Sequence, residues 1–183
     1  LQDFNAAIEL NTALTSAYSS RAHILSQQNS PAAALADYTR IIEQDPGNAS
    51  AYYARGNALR EAGDRNGALA DFSQAIELDP LFTNAYNSRA RLYSSAGDYT
   101  AAVADYSAFL VLQSDDAAAY SSRGSAYTEL GEIDSALADF SRAVELDPTL
   151  SSAYLSRARL LVQQADYDQA IADYTQAISL GNA

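Results

Sequence analysis

The chain has 183 residues, of which 48% are apolar, and its 23 acidic and 11 basic side chains give a net charge of −12. An acidic surface repels phosphate groups, so nonspecific binding to nucleic acid or to an anionic membrane is not expected. The absence of cysteine excludes disulfides, thiolate metal sites and cysteine nucleophiles. There is no run of about 18 apolar residues, so the sequence predicts no membrane insertion.

A regular interval organises the whole chain. The dipeptide Ala-Tyr recurs every 34 residues, with its tyrosines at positions 18, 52, 86, 120 and 154. An interval of this size is typical of stacked helix–turn–helix repeats, each too small to bury its own apolar face. In chain order we predict the second helix of an incomplete leading repeat at 1–14 and then five repeats in a single solenoid domain. Their ranges are 15–48, 49–82, 83–116, 117–150 and 151–183.

The leading segment carries the second-helix pattern, since Asp3-Phe4 corresponds to Asp37-Tyr38. The chain starts at Leu1, inside a helical pattern and without methionine. We therefore expect it to be a fragment or a processed product, and the sequence does not indicate its localisation.

The repeat at 49–82 shows the elements expected in each repeat. A first helix runs from Ala51-Tyr52 through Leu59 and is followed by a turn at Gly63-Asp64. Gly63 suits a left-handed helix end, and Asp64 can cap the next helix. The second helix ends at Asp79-Pro80, because proline cannot continue it.

These residues resemble the tetratricopeptide repeat family throughout the chain. The family's pattern is a large aromatic, then Leu-Gly, an aromatic, a later Ala, an aromatic four residues beyond it and a closing Pro. The corresponding places here hold Tyr52, Gly56, Leu59, Ala68, Phe72 and Pro80. Two departures recur, with Tyr in place of Trp in the opening column and Arg in place of Leu before the small residue. The resemblance implies an all-α fold, a right-handed superhelical solenoid of antiparallel helix pairs. It also implies a noncatalytic protein-interaction scaffold whose partner is a protein or peptide.

The substituted arginines form a column with matching aspartates. Each arginine is followed sixteen residues later by an aspartate on the second helix. We interpret the column as a partly buried ion pair that fixes the register of the helices. Asp3 could instead serve Arg21, so pairing within a repeat and pairing across repeats both stay open. The arginines are Arg21, Arg55, Arg89, Arg123 and Arg157, and the aspartates are Asp37, Asp71, Asp105, Asp139 and Asp173.

The family holds extended peptides on the exposed face of the first helices, on the concave side of the solenoid. Carried over to this chain, that face contains three arginines and no carboxylate, although Glu61 and Glu129 lie in the neighbouring column. The resemblance therefore implies a peptide groove that suits an acidic partner. Its binding residues would be Tyr53, Asn57, Arg60, Asn87, Arg91 and Arg159. The rest of the lining in the first two repeats would be Ser16, Ser19, His23, Ser26 and Ser50.

A rival function is end-to-end self-association. The last predicted helix leaves Ile171, Tyr174 and Ile178 uncovered, and the leading half-repeat is equally incomplete. Such open ends favour stacking of copies into a homo-oligomer.

An enzyme is not predicted, and neither a cofactor nor a metal site is expected. His23 is the sole histidine, so no histidine-based metal site or catalytic triad can form. The paired acids Asp115/Asp116 and Asp166/Asp168 lie where helix capping explains them.

Overall fold

The computed structural model describes residues 1–11, 14–28 and 30–181, and in these ranges the chain forms eleven helices and no strand. Successive helices pack as antiparallel pairs, so the fold is all-α as predicted. The helices are α1 (Gln2–Leu10), α2 (Thr15–Gln27), α3 (Pro31–Gln44), α4 (Ala49–Glu61), α5 (Arg65–Leu78), α6 (Thr83–Ala96), α7 (Tyr99–Leu112), α8 (Ala117–Glu129), α9 (Ile133–Leu146), α10 (Ser151–Gln163) and α11 (Tyr167–Gly181).

The chain divides into two compact units, Leu1–Arg89 and Ala90–Ala183. In the first unit, Tyr18, Ala22 and Ile41 belong to a core to which α1 contributes Ile8. In the second unit, one core cluster contains Phe140 and Leu160, drawn from α9 and α10; a further cluster is formed by α6, α7 and α8. Each core is thus assembled from successive helices, since no single pair covers its own apolar face.

The two helices of a pair are joined by a short turn. Gly63 has φ +84°, and Asp64 accepts a hydrogen bond from the backbone N–H of Gly67 at 2.9 Å, which confirms both predicted roles. Asp98 caps α7 in the same way. The corresponding turn before α11 differs, because Ala165 adopts φ +61°, a region that side chains with a Cβ avoid.

Close packing explains a second glycine, Gly56 in α4. A Cβ at this position would lie 2.8 Å from Cε1 of Phe72, a ring that is fully buried in α5. The small residue therefore allows α4 and α5 to approach each other.

Inside the two units, the arginine–aspartate pairs form within a helix pair, and Arg21 pairs with Asp37, which decides between the two arrangements that the sequence leaves open. Arg55 donates from Nε and Nη2 to the two carboxylate oxygens of Asp71, both at 2.8 Å. Arg123 and Asp139 pair in the same way at 2.7 and 2.8 Å. The remaining pairs of this geometry within the units are Arg21–Asp37 and Arg157–Asp173.

These ion pairs are largely withdrawn from water. The aspartates are buried, with 3% of Asp37 and 5% of Asp71 exposed. The hydrogen bond to its aspartate is the main cause that raises the pKa of Arg123, against the opposing effect of burial. The pairing therefore favours the charged form of the arginine.

A third contact of each arginine reaches the second helix of the preceding pair. Nη1 of Arg123 donates to the hydroxyl of Ser107 on α7 at 3.0 Å. The acceptor lies sixteen residues before its arginine at every such position, so it forms a column of its own that the sequence analysis overlooked. The acceptors are Asn5, Thr39, Ser73, Ser107 and Ser141.

The opening tyrosine completes this arrangement. The guanidinium carbon of Arg123 lies 5.5 Å from the ring centroid of Tyr120, and Arg55 lies 5.6 Å from Tyr52. The tyrosine precedes its arginine by three residues, so both share one face of the first helix. A cation–π contact thus adds to the two sets of hydrogen bonds.

We predict that Arg123→Ala lowers the free energy of unfolding by about 3–5 kcal/mol, because it leaves the carboxylate of Asp139 buried without its partner. The matched control is Arg142→Ala, which breaks the exposed Arg142–Glu145 pair and should cost less than about 1 kcal/mol. Urea unfolding measures both values. Equal losses for the two variants would show that the buried pair contributes no more than a surface pair.

A second prediction concerns the turn before α11. Replacing Ala165 by glycine relieves a left-handed backbone conformation and should raise the free energy of unfolding by about 1 kcal/mol. Gly131→Ala makes the reverse change at φ +76° and should lower it by a similar amount. Thermal melts of both variants test the pair, and a destabilising Ala165→Gly contradicts the expectation.

Candidate peptide-binding site

Two cavities open along the first helices of unit Leu1–Arg89. One has a volume of about 380 Å³ and lies between α2, α3 and α4. The other, of about 330 Å³, lies beside it and shares Tyr38 and Ala54. The residues of the predicted lining that these cavities contain are Ser16, Ser19, His23, Ser26, Ser50, Tyr53 and Asn57.

Tyr53 forms a fixed wall of the larger cavity. Its ring centroid lies 5.1 Å from that of Phe82 and 5.7 Å from that of Phe72, with tilted planes in both contacts. Its hydroxyl is 3.4 Å from Oγ of Ser88. The side chain is half-buried, so it combines packing within the unit with a surface turned to the cavity.

Asn57 lies one turn further along α4 in the same cavity. Its Nδ2 donates to the backbone carbonyl of Tyr53 at 3.2 Å, which orients the amide on the helix surface. An amide group has two N–H donors and an acceptor oxygen, so this one bond leaves capacity for a ligand backbone.

One acidic side chain lines this cavity. Glu61 lines it together with His23, whose Nε2 is 3.1 Å from Nε2 of Gln27. The pKa of Tyr38 is raised, chiefly because the side chain is buried. The nearby charge of Glu61 adds to this increase, and the hydrogen bond with Ser26 opposes it. Tyr38 and Glu61 therefore line the same cavity.

Unit Ala90–Ala183 has a corresponding cavity of about 260 Å³ between α8, α9 and α10. Each of its residues follows a residue of the larger cavity by 102 positions, three times the 34-residue interval. The position in the repeat is thus the same, but the charges differ. Arg159 replaces Asn57, Gln163 replaces Glu61, and Glu129 replaces Gln27. Its lining is Ser125, Thr128, Glu129, Phe140, Ser156, Arg159, Leu160 and Gln163.

The other predicted binding residues lie outside these cavities. Arg60 is exposed, with Nη2 3.5 Å from Oε1 of Glu61. Asn87 is half-buried on α6 in the first unit, and Arg91 is exposed on α6 in the second. The structure therefore joins Tyr53 and Asn57 in one cavity and places Arg159 in the corresponding one.

The described residues contain no group of three or more histidine, cysteine or acidic side chains that could hold a metal ion. Asp116 and Asp166 accept bonds from the backbone N–H groups of Ala119 and Gln169, as expected of helix caps. In the same ranges no helix combines the length and the apolar character needed to cross a bilayer.

Two family models match the chain. The model for the ETO1 C-terminal domain matches residues 4–154, and that for a tetratricopeptide repeat matches residues 151–180. The chain belongs to the ETO1 C-terminal domain family and is a tetratricopeptide repeat protein. Such repeats are generally protein-interaction scaffolds and are typically noncatalytic. A search of curated proteins found no match.

Solved tetratricopeptide repeat structures share the fold. MamA from Desulfovibrio magneticus RS-1 is 21% identical, with a TM-score of 0.85 over 92% of this chain and 95% of its own. YrrB, described as a TPR protein with an unusual peptide-binding site, is 24% identical, with a TM-score of 0.84 over 97% and 91% of the two chains. At these identities the likeness extends to the fold alone.

Proposed function

We propose that this tetratricopeptide repeat protein is a noncatalytic scaffold that binds an extended peptide segment of a partner along its first helices. The observation that carries the proposal is the recurrence of one cavity at the same repeat position in both units. A ligand side chain can enter each cavity, which Tyr38 lines in one unit and Phe140 in the other. The peptide-binding site attributed to YrrB agrees with this function.

The residues of the site have different roles in binding the ligand. Asn57 and Asn87 hydrogen-bond the backbone of the ligand, while Tyr53 offers an aromatic surface for an apolar side chain. Arg60, Arg91 and Arg159 meet carboxylates of an acidic partner. Among the described residues, no carboxylate forms an ion pair with Arg91 or Arg159, so both guanidinium groups can engage a ligand.

We predict that Arg91→Ala/Arg159→Ala weakens the binding of acidic peptides about tenfold, which corresponds to about 1.4 kcal/mol. The probes are fluorescent peptides of equal length in which Asp and Glu alternate with Leu, compared with versions carrying Asn and Gln. Fluorescence anisotropy measures the dissociation constants.

The matched control removes two exposed arginines from second helices, Arg40→Ala/Arg142→Ala. Both double variants lose the same charge, so a general electrostatic effect weakens binding equally in the two. Selective loss in the first variant supports the groove, whereas equal affinities of both variants and wild type contradict the proposed role of the arginines.

A second candidate function is self-association, and the last helix favours it. Ile171 and Ile178 on α11 are 64% and 62% exposed, although they lie on one face of the helix. Apolar side chains exposed together in this way are typical of an interaction surface.

Light scattering over micromolar to millimolar concentrations tests this candidate. We predict that the mean mass rises above that of one chain with increasing concentration, because the α11 surface becomes covered. A mass that stays at one chain throughout the range would rule out self-association and leave the peptide receptor as the function.

A further inference from the structure

The larger cavity of unit Leu1–Arg89 has one carboxylate in its wall and no guanidinium. Glu61 provides the carboxylate, and no arginine is among the described residues that line the cavity. The chain contains no lysine. A ligand that enters therefore meets an acid without a guanidinium or ammonium group inside the cavity. Apart from two tyrosines, the remaining polar side chains of the lining are His23, Ser26, Gln27 and Asn57.

The carboxylate of Glu61 can accept hydrogen bonds from a ligand. Its side chain is 50% exposed, and Oε1 lies 3.5 Å from Nη2 of Arg60, which is not among the residues that line the cavity. The two contacts between Arg55 and Asp71 are shorter, both at 2.8 Å. An exposed contact between neighbouring residues contributes little, so Arg60 leaves most of the acceptor capacity of Glu61 to a ligand.

The same cavity has an apolar surface further back on α4. Tyr53 and Ala58 line it, and the contacts of Tyr53 with Phe72 and Phe82 fix its ring, with centroids 5.7 and 5.1 Å apart. Glu61 follows Tyr53 by eight residues, a rise of about 12 Å along the helix. The cavity therefore offers apolar surface at one end and an exposed carboxylate at the other.

Lysine and arginine side chains match this arrangement. Both have a long aliphatic stem that packs on apolar surface and a cationic head that stays in a polar environment. A stem on the ring of Tyr53 directs the head toward Glu61, where the carboxylate can pair with it. A short cationic side chain reaches only one end of the cavity, and a long apolar one leaves the carboxylate without a partner.

The corresponding cavity of unit Ala90–Ala183 lacks this arrangement. Gln163 stands in place of Glu61, and Arg159 brings a guanidinium of the protein's own into the lining. Glu129 also lines this cavity, but there the guanidinium of Arg159 accompanies it. We therefore expect a preference for a cationic side chain in the first unit only.

We propose that the cavity lined by Tyr53 and Glu61 binds a lysine or arginine side chain of the partner peptide, with the stem on Tyr53 and the charged head at Glu61. This proposal rests on the peptide-binding function and specifies the ligand further. The ligand then has mixed charge, with a basic residue for the first unit and a carboxylate for Arg159 in the second. The net charge of −12 also attracts a basic segment over a longer distance.

The first test compares charged and uncharged versions of one probe. The probes are fluorescent peptides of Ser, Asn and Leu, with blocked ends and a single central lysine or arginine. The uncharged versions carry acetyl-lysine or citrulline at the same place. Fluorescence anisotropy should give dissociation constants about tenfold lower for each charged peptide, because only its head forms an ion pair. Equal affinities of the charged and uncharged versions overturn the proposal.

A variant of Glu61 shows whether this carboxylate causes the preference. Glu61→Gln should weaken the binding of the charged peptides about tenfold and leave that of the uncharged peptides unchanged. The matched control, Glu77→Gln, removes the same charge from an exposed position on α5 of the same unit and should keep the preference. Loss of the preference in both variants, or in neither, overturns the proposal, since Glu61 is then not its cause.

A variant of Tyr53 separates the contribution of the stem from that of the head. Tyr53→Ser introduces the residue type that Ser19 and Ser121 have at the same repeat position. It should weaken the lysine and acetyl-lysine peptides alike, by about fivefold, because both lose the same apolar contact. Thermal melts establish that the variant is folded at the assay temperature. An uncharged peptide that binds as before contradicts the placement of the stem on Tyr53.

The outcomes distinguish this proposal from the function on which it rests. If acidic peptides bind but the basic peptides show no preference over their uncharged versions, the assignment of the cavity fails and the peptide receptor stands. If no acidic, basic or uncharged peptide binds, the receptor function fails and the proposal fails with it.

Discussion

The buried carboxylate on each of α3, α5, α9 and α11 has to meet a charged donor, and the arginine that meets it connects three helices. Arg123 holds Asp139 within its own pair and reaches Ser107 on the preceding helix, while Tyr120 lies against its guanidinium. The planar group has N–H donors in a fixed fork, so it can make these bonds only in one relative position of the helices. The pairing of two helices and their stacking on the previous one therefore depend on a single side chain.

This constraint separates structural positions from those open to function. Arginine, aspartate and opening tyrosine are the same in each interval, because each is engaged in the contacts between helices. The first-helix position that holds Tyr53 is occupied elsewhere by Ser19, Asn87, Ser121 and Leu155. Variation of this kind gives equivalent cavities different chemistry, as the change from Asn57 and Glu61 to Arg159 and Gln163 shows. Binding specificity is expected to arise there.

The sequence predicted the helices and their turns well, because the 34-residue interval and residues such as Gly63 and Asp64 act locally. It left the partner of Arg21 undecided, since only packing brings Asp37 closer than Asp3. The acceptor column from Asn5 to Ser141 was overlooked although its interval is visible, because serine and threonine on a helix are common. In the sequence, Glu61 is visible only as a neighbour of the predicted lining, but the structure places it in the wall of the cavity. The division into five repeats and the binding residues themselves stay predictions.

The coupling between Arg55 and Asp71 tests the central claim most directly. Urea unfolding of wild type, Arg55→Ala, Asp71→Ala and the double variant yields the interaction free energy of the pair. Because either single variant leaves one buried group unpartnered, the double variant should be destabilised by less than the sum of the two, with a coupling of about 2–3 kcal/mol. Additive losses would show that the two residues act independently, and the ion pair could not then be the interaction that sets the helix register.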